Sequence, residues 1–515
     1  MRNGDVQAAW TYHDVTKHSP ERLRCDPHHL DFDTQPVPYT LYTTLAPQPL
    51  PRDWPVATTP ALAAIAGAAR TPGEARVPRV PTLAELARLL LLSAGITRKV
   101  VYANGHETYF RAAPCTGALY HVDLYVVCGA LPGLDAGVYH FGPHDFALRL
   151  LRPGDHRPWL TEASGEEPAI AAAAAVLVSV STIWRNAWKY RARAYRHCFW
   201  DNGTLLANAL AAAAAVDMPA RLVTGFVDTP VERLLDLDGT RQLVLSLLAI
   251  GDDPTPRPAA AVEPAALALA TQPARAPVIA YPAITTMHTA STLESADEVR
   301  AWRASALDAP AAERGGRRVP LRALAVTPQE TIDAVIHRRG SSRAFTRAAI
   351  GFAELSTILV QATQGLEADF VRSRQDSLAE LYLIVHAVDG LASGTYVHRR
   401  DDQSLELLRA GDFRREAGFL ALGQELAADA SVDCYLLVDL SRTLAALGNR
   451  GYRAAQLEAA ITGGRIYLAA YALRLGATGL TFFDDAVTDF FAPHAAGKSV
   501  MFLVAVGRGR ARSRP

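Results

Sequence analysis

The stretch that decides the fold is Gly133-Leu134-Asp135-Ala136-Gly137-Val138-Tyr139, which returns 257 positions later as Gly390-Leu391-Ala392-Ser393-Gly394-Thr395-Tyr396. Both read G-L-x-x-G-x-Y, and further identities follow at the same gapless offset. Downstream, Arg193-x-Tyr195-Arg196 matches Arg450-x-Tyr452-Arg453. A shared offset of this extent is hard to obtain by chance, and self-similarity at a fixed spacing is the sign of a repeated structural unit. The sequence therefore predicts two tandem copies of one fold.

Composition places the chain among neutral globular proteins. Its 515 residues suffice for two or three domains, half are apolar, and 52 Lys+Arg balance 52 Asp+Glu. A balanced chain is a poor candidate for general nucleic-acid or anionic-membrane binding. No signal-peptide core and no membrane-length apolar stretch is visible. Five scattered cysteines without C-x-x-C spacing argue against disulfides and zinc. We expect a cytoplasmic protein with no metal, no nucleic acid and no membrane among its partners.

Both copies show the same predicted order: an amphipathic helix, an apolar strand, the hairpin, a second strand, a long Ala/Leu-rich helix and a final strand. The predicted elements are Leu83–Ala94, Leu124–Val127, Val176–Val180, Leu205–Val216 and Leu243–Ile250 in copy one, and Phe352–Ala362, Leu381–Val385, Cys434–Asp439, Ile466–Leu475 and Val500–Val506 in copy two. This mixture indicates an α+β sandwich. We predict an N-terminal extension (1–81), a first domain (82–253), a Pro/Ala-rich linker (254–300) and a second domain (301–515).

Four segments carry a resemblance to a known family. Residues 111–120, Arg-Ala-Ala-Pro-Cys-Thr-Gly-Ala-Leu-Tyr, resemble the P-S-x-G-A-L-Y pattern of nitroreductase-fold flavoproteins. Residues 189–196, K-Y-x-x-R-x-Y-R, and the opening Y-H-x-x-T-K-H-S at 12–19 are typical of the SagB-type thiazoline/oxazoline dehydrogenases of ribosomal-peptide pathways. Residues 339–343 resemble the R-x-S-x-R signature that holds the FMN phosphate. The resemblance implies two nitroreductase-like domains, FMN as cofactor, and an intramolecular pseudo-dimer where the family forms dimers.

The candidate site residues follow from these motifs. Two arginines and a serine form a charge-assisted grip on a phosphate, and a Lys beside a Tyr moves protons if burial lowers the lysine pKa. Alone, each motif is equally open to a plainer interpretation: a basic turn before a helix, a turn into a strand, or a solvated helix start. The candidates are Lys189 and Tyr190 as catalytic residues, and Pro114, Cys115, Thr116, Gly117, Leu119, Arg339, Ser341, Arg343, Gly479, Thr481, Phe482 and Arg508 as cofactor-binding residues.

Each copy lacks the half of the site that the other keeps. Opposite the phosphate motif of copy two, copy one has Arg70, Pro72 and Glu74, and a glutamate there would repel a phosphate. Copy one also ends its last strand in Gly251-Asp252-Asp253, where copy two has Gly507-Arg508. In copy two, the positions equivalent to residues 114–117 and to the Lys-Tyr pair are Val371-Arg372-Ser373-Arg374, Ala446 and Leu447. Because the losses are complementary, we predict one composite FMN site per chain.

The resemblance implies an FMN-dependent dehydrogenase or oxidase that removes two electrons from a peptide-derived azoline or a related amino-acid-derived unit in natural-product biosynthesis. Lys189 or Tyr190 would be the general base, molecular oxygen the electron acceptor, and a peptide or small heterocycle the substrate, with biosynthetic complex partners conceivable. An NAD(P)H-dependent nitro- or quinone reductase and a non-catalytic FMN-binding or FMN-sequestering protein stay open as alternatives. The retained Lys-Tyr pair favours the dehydrogenase.

Overall fold

The computed structural model describes residues 2–25, 27–67, 78–101, 105, 107–255, 263–310 and 315–510. Its strands are β1 Gln48–Pro49, β2 Ile96–Val101, β3 Glu107–Arg111, β4 Val122–Cys128, β5 Gly137–Gly142, β6 Ala147–Pro153, β7 Ala175–Thr182, β8 Ala220–Val223, β9 Gln242–Ile250, β10 Arg317–Pro320, β11 Ile350–Gly351, β12 Ala379–Val385, β13 Val388–Asp389, β14 Gly394–Arg399, β15 Ser404–Ala410, β16 Val432–Val438, β17 Gly476–Gly479 and β18 Ser499–Gly507. Its α-helices are α1 Gln7–Val15, α2 Pro20–Cys25, α3 Ala61–Ala66, α4 Leu83–Ala94, α5 Arg157–Ala163, α6 Pro168–Ala172, α7 Ile183–Tyr190, α8 Ala194–Ala214, α9 Asp228–Leu234, α10 Pro282–Ala290, α11 Ala296–Ala304, α12 Ile332–Arg338, α13 Phe352–Ala362, α14 Arg414–Leu420, α15 Glu425–Asp429, α16 Leu440–Ala472 and α17 Asp484–Phe490.

Two seven-stranded sheets have the same strand order. The first runs β1-β6-β5-β4-β7-β9-β8, and the second runs β10-β15-β14-β12-β16-β18-β17. All neighbouring strands within them are antiparallel. The two G-L-x-x-G-x-Y turns lead into β5 and β14, which hold the same place in the two sheets. This equivalence confirms the predicted α+β fold built from two tandem copies.

Local sequence signals fix the helix that opens each copy. In copy one, the Thr82 hydroxyl accepts a hydrogen bond from the Glu85 amide, and the Glu85 carboxylate accepts one from the Thr82 amide, which closes a capping box before α4. The helix runs from Leu83 to Ala94, as predicted, and turns its leucines into the core. Its counterpart α13 also has the predicted bounds.

The two long helices extend well beyond the predicted segments. Helix α8 has 21 residues, and α16 has 33 with a kink at Gly448, whose φ is +62°, whereas the sequence patterns indicated only their apolar C-terminal parts. The N-terminal parts carry arginines and other polar residues that are buried against the opposite copy, so they lack an apolar periodicity. Despite their length, neither of these nor any other helix in the described ranges is both long and apolar enough to cross a membrane.

Helices α8 and α16 meet at positions related by the repeat. A Cβ atom on Gly203 would lie 2.5 Å from Cβ of Ala460, and a Cβ atom on Gly464 would lie 2.6 Å from Cβ of Ala207. Both pairs are separated by the 257-residue offset, so each residue contacts its own counterpart. Such self-pairing occurs beside a twofold axis, and only small side chains permit so close a crossing. The two copies therefore form an intramolecular pseudo-dimer.

Two buried ion-pair clusters also join the copies. In each cluster, two arginines in or directly before one long helix pair with one aspartate of the other copy. The first comprises Arg193, Arg196 and Asp484, with N–O distances of 2.9 and 2.5 Å, and the second comprises Arg450, Arg453 and Asp228, with distances of 2.6 and 2.8 Å. No side chain in either cluster is more than 4% exposed. The reciprocity is that of an isologous dimer interface.

The segment predicted as a linker contains α10 and the start of α11. Arg453 donates to the backbone oxygen of His288, in α10, and to the hydroxyl of Ser291. At the other cluster, Arg196 makes the same two kinds of bond to His13, in α1, and to Thr16. Helix α10 thus occupies in copy two the place that α1 occupies in copy one.

Candidate functional site

The loop that follows β3 is held by one buried carboxylate. Asp201, on α8, accepts hydrogen bonds from the Thr116 amide at 2.9 Å, the Thr116 hydroxyl at 2.7 Å and the Cys115 thiol at 3.1 Å. The Pro114 carbonyl accepts a bond from Thr204, one turn further along the same helix. The loop is therefore fixed to α8 through its first three predicted site residues. The fourth and fifth, Gly117 and Leu119, lie on the same loop, and Leu119 is buried.

Cys115, His121 and Asp201 place three potential metal-ligating atoms within 4.8 Å of one another. Hydrogen bonds account for this arrangement, because His121 Nε2 lies 2.8 Å from the carboxylate and His121 Nδ1 lies 2.8 Å from the Ser181 hydroxyl. Burial, followed by the Asp201 charge, raises the pKa of the Cys115 thiol well above its ordinary value. Cys115 is therefore a neutral hydrogen-bond donor in this loop.

The loop bends at Gly117, directly against the predicted catalytic pair. Gly117 has a φ of +61°, and a Cβ atom there would lie 2.8 Å from the Tyr190 hydroxyl and 3.3 Å from Cδ of Lys189. The Lys189 ammonium lies 5.4 Å from the centre of the Tyr190 ring. The two candidates from the end of α7 and the loop candidates thus form one cluster, in which position 117 leaves no room for a side chain.

The surroundings of Tyr190 keep its hydroxyl protonated. Its ring meets the His197 ring edge-on at 4.4 Å between centres, and His197 is tied to Asn186 by a 2.9 Å hydrogen bond. Burial, with the Asp201 charge second, raises the pKa of Tyr190 above its ordinary value. Burial also lowers the pKa of His197 well below its ordinary value, with Arg193 adding to the effect. At neutral pH the phenol is consequently protonated and available as a hydrogen-bond or proton donor.

Copy two contributes Arg339, which contacts the chain just before the loop, and Ser341, which lies nearby in sequence on copy two. The Arg339 guanidinium donates to the Ala112 carbonyl at 2.8 and 3.1 Å, just before the loop. Ser341 lies 3.2 Å from the Tyr467 hydroxyl, which also accepts a 2.6 Å bond from the Gly479 amide. Tyr467, from α16, thereby joins two predicted site residues, and the sequence patterns did not indicate it because it sits within an apolar helix.

The loop after β17 adds aromatic contacts between the copies. The Phe482 ring lies 5.7 Å from that of Trp200, and Trp200 lies 4.8 Å from the His197 ring. A continuous row of rings therefore connects Phe482 of copy two with Tyr190 of copy one. Trp200 is the second residue that the patterns missed. Thr481, one residue earlier, has a buried hydroxyl oxygen that finds no hydrogen-bond partner in the described part of the chain.

Two predicted phosphate contacts lie apart from these interactions. Arg508 is 46% exposed, and its guanidinium donates to the Ala349 carbonyl at 2.9 Å and contacts the Glu354 carboxylate at 3.3 Å. Arg343 is exposed and makes no ion pair within the described ranges. Its assignment as a phosphate ligand stays a prediction, as does that of Arg508. The copy-one positions Arg70, Pro72 and Glu74 lie outside the described residues.

The N-terminal segment is attached to the same region. Asp484 directly follows the Phe482–Phe483 loop, and its carboxylate accepts a 2.8 Å bond from the His18 amide in addition to those from Arg193 and Arg196. Arg193 donates to the Thr16 carbonyl. Residues 12–18 thus connect the loop of copy two to the start of α8 in copy one. The Y-H-x-x-T-K-H-S motif was the available signal for this role.

The cluster fits a bound FMN in three respects. Arg339 is partly buried and has no carboxylate partner among the described residues, as a phosphate-binding arginine would be before its ligand arrives. The Thr481 hydroxyl has an unsatisfied hydrogen-bonding capacity. The bend at Gly117 places the loop that would hold the ring directly beside Lys189 and Tyr190. Arg339, Ser341 and the 114–119 loop are the residues that would hold the phosphate and the ring.

Known proteins share this architecture. A crystal structure of a presumed nitroreductase from Anabaena variabilis aligns over 98% of this chain and 99% of its own, with a TM-score of 0.78 and 27% identity. Among curated proteins, the presumed nitroreductase MJ1384 of Methanocaldococcus jannaschii is 24% identical over 170 residues, 33% of this chain and 80% of that protein. No protein-family model matches the chain. The full-length alignment shows a nitroreductase-like fold across both copies.

Proposed function

We propose that this chain is an FMN-dependent oxidoreductase with one composite site. The observation that carries the proposal is the junction of two complementary half-sites: Arg339 of copy two donates to the Ala112 carbonyl, just before the loop of copy one against which Lys189 and Tyr190 are packed. The similarity to proteins presumed to be nitroreductases supports an oxidoreductase. The Lys-Tyr motif favours a peptide-derived azoline as the substrate.

The protein residues have separate tasks in this proposal. Bound FMN supplies the two-electron redox chemistry. Arg339 and Ser341 neutralise and orient the phosphate of FMN. Asp201 fixes the 114–119 loop through hydrogen bonds, so that the loop keeps one position against the flavin ring. Lys189 takes the proton that leaves the substrate, and the neutral phenol of Tyr190 donates a hydrogen bond that orients the substrate.

The test is turnover of an azoline-containing peptide by the FMN-loaded full chain in air, followed by mass spectrometry for loss of two hydrogens. Lys189→Ala and Tyr190→Phe should lose most turnover while keeping the flavin absorbance. The matched control is Tyr396→Phe, which removes a hydroxyl bonded to the Ala392 carbonyl in the hairpin of copy two. Unchanged turnover in Lys189→Ala would refute the assigned proton acceptor, and absence of flavin binding would refute the proposal as a whole.

A second candidate is an NAD(P)H-dependent nitro- or quinone reductase. One observation favours it: a tyrosine kept in its protonated form suits a reaction that delivers protons to a reduced product. The two candidates separate in one assay. Anaerobic bleaching of the flavin by NADPH, followed by reoxidation with a nitroaromatic compound, supports the reductase. Bleaching by the azoline peptide but not by NADPH supports the dehydrogenase.

A further inference from the structure

Copy two contains a cavity of about 480 Å³ at the place where copy one has a pocket of about 20 Å³ beside the Pro114 loop. The lining residues correspond through the repeat. Ser93, Ala94, Tyr120, Val122, Asp201 and Leu205 line the small pocket, and their counterparts Ala362, Thr363, Ser377, Ala379, Glu458 and Thr462 line the large one. Copy two connects helix to strand by the shorter segment 363–378 and has no counterpart of the β2–β3 hairpin. The position in copy two that corresponds to the Pro114 loop region of copy one is therefore occupied by a much larger cavity.

Two arginines present uncommitted donors to this cavity. Arg465, on α16, is 6% exposed; it donates to the Gly365 carbonyl at 2.6 Å and has no carboxylate within 4 Å among the described residues. Arg400, at the end of β14, has neither an ion pair nor a side-chain hydrogen bond within the described part of the chain. Burial and the neighbouring Arg374 lower the pKa of Arg465 to about 10. The Glu458 carboxylate opposes this lowering but is not hydrogen-bonded to either arginine among the described residues, and a buried guanidinium without a directly paired counter-charge is stabilised by a ligand that neutralises it.

The carboxylates near the cavity are engaged elsewhere. Glu458 accepts bonds from the Ser377 hydroxyl and the Ala379 amide, and Asp376 accepts bonds from the Ala309 amide and from Ser373. Glu380 pairs with Lys498 at 2.7 Å. Among the described carboxylates that line the cavity, Asp401 is the exposed one and makes no such contact with another described residue. The acidic groups therefore leave the N–H groups of Arg400 and Arg465 available.

The rest of the lining suits an apolar, planar ligand body. Leucine and isoleucine side chains from three elements border the cavity, namely Leu366, Leu381, Leu436 and Ile461. His398 is 5% exposed, and neither of its ring nitrogens makes a hydrogen bond of normal geometry. We propose that this cavity binds a small organic anion, with its carboxylate or phosphate at Arg400 and Arg465 and its apolar part against these leucines.

Calorimetric titration of the full chain, loaded with FMN and freed of unbound cofactor, tests the proposal. The probes are benzoate and phenyl phosphate as the two anionic groups, benzamide as the neutral analogue and benzamidine as the cationic one. We expect one site per chain that binds benzoate or phenyl phosphate. The probe that binds more tightly shows whether the site prefers a carboxylate or a phosphate. Benzamide and benzamidine should bind at least roughly tenfold more weakly.

The variants Arg400→Met and Arg465→Met should weaken anion binding by roughly tenfold or more, with unchanged flavin content. Arg400 is the less buried of the two, so its variant keeps the test valid if Arg465→Met fails to fold. Arg415→Met, at an exposed arginine outside the cavity, is the matched control. Lack of saturable anion binding, preference for benzamidine, or equal binding by Arg400→Met and the wild type would overturn the proposal.

Discussion

Asp484→Asn should be among the most destabilising single substitutions in this protein. Its carboxylate, 3% exposed, neutralises the guanidinium groups of Arg193 and Arg196, which are 4% and 0% exposed. Asparagine keeps the volume and one acceptor oxygen but leaves two buried cations without a counter-charge. Breaking a buried pair in this way costs about 3–5 kcal/mol. An exposed pair such as Arg347–Asp429 contributes about 1 kcal/mol or less, so Asp429→Asn is the matched control.

The assay is urea denaturation followed by circular dichroism and tryptophan fluorescence, with coincident transitions required for a free energy of unfolding. The two arginines lower the pKa of Asp484 below its ordinary value. Because the folded-state pKa is the lower one, the stabilisation is present above the unfolded-state pKa of about 3.9 and disappears as the pH falls toward the folded-state value. The difference between wild type and variant should therefore shrink in acid. A loss below about 1 kcal/mol at pH 7 would refute the reasoning.

Two further substitutions test the composite site. Gly117→Ala should abolish turnover, because it adds about 1–2 kcal/mol of left-handed backbone strain and a Cβ atom 2.8 Å from the Tyr190 hydroxyl. The control is Gly423→Ala, at a φ of +73° with open space around it, which imposes the strain without the steric contact. Equal activity of the two variants would contradict the steric argument. Tyr467→Phe should weaken FMN binding by roughly tenfold, since it removes the hydroxyl that joins Ser341 to the Gly479 amide. Fluorescence titration of the apoprotein measures that affinity, and an unchanged value would count against Tyr467.

Sequence patterns predicted the features that depend on neighbouring residues, such as single helices and the internal repeat. Helix α4 was predicted to the residue from its amphipathic pattern, and the structure shows that a capping threonine before it and a glycine after it set those bounds locally. The repeat at a fixed offset likewise required no knowledge of contacts, and it led to the equivalence of the two sheets. The arrangement of the candidate loop and the Lys-Tyr pair also followed from motif order, and the structure brings these residues together at Gly117.

The contacts between the copies could not be predicted in the same way. The part of α16 just after its kink at Gly448 contains Arg450 and Arg453, which interrupt an apolar pattern and were not assigned to a helix. They are buried only because Asp228, more than two hundred residues earlier, neutralises them. Similarly, the polar residues around His18 gave no sign of burial, since their partner Asp484 lies 466 residues away. A local sequence pattern does not indicate which distant residue will pair with a given arginine or histidine.

The most direct test of the central claim is the amount of FMN released per chain from protein purified with excess FMN and freed of unbound cofactor. One composite site predicts one FMN per chain. It also predicts loss of that FMN in Arg343→Glu, which reverses a charge at an exposed position, and retention in Arg415→Glu, which does the same outside the site. Two FMN molecules per chain would contradict the division of a single site between the copies, and none would contradict the flavoprotein itself.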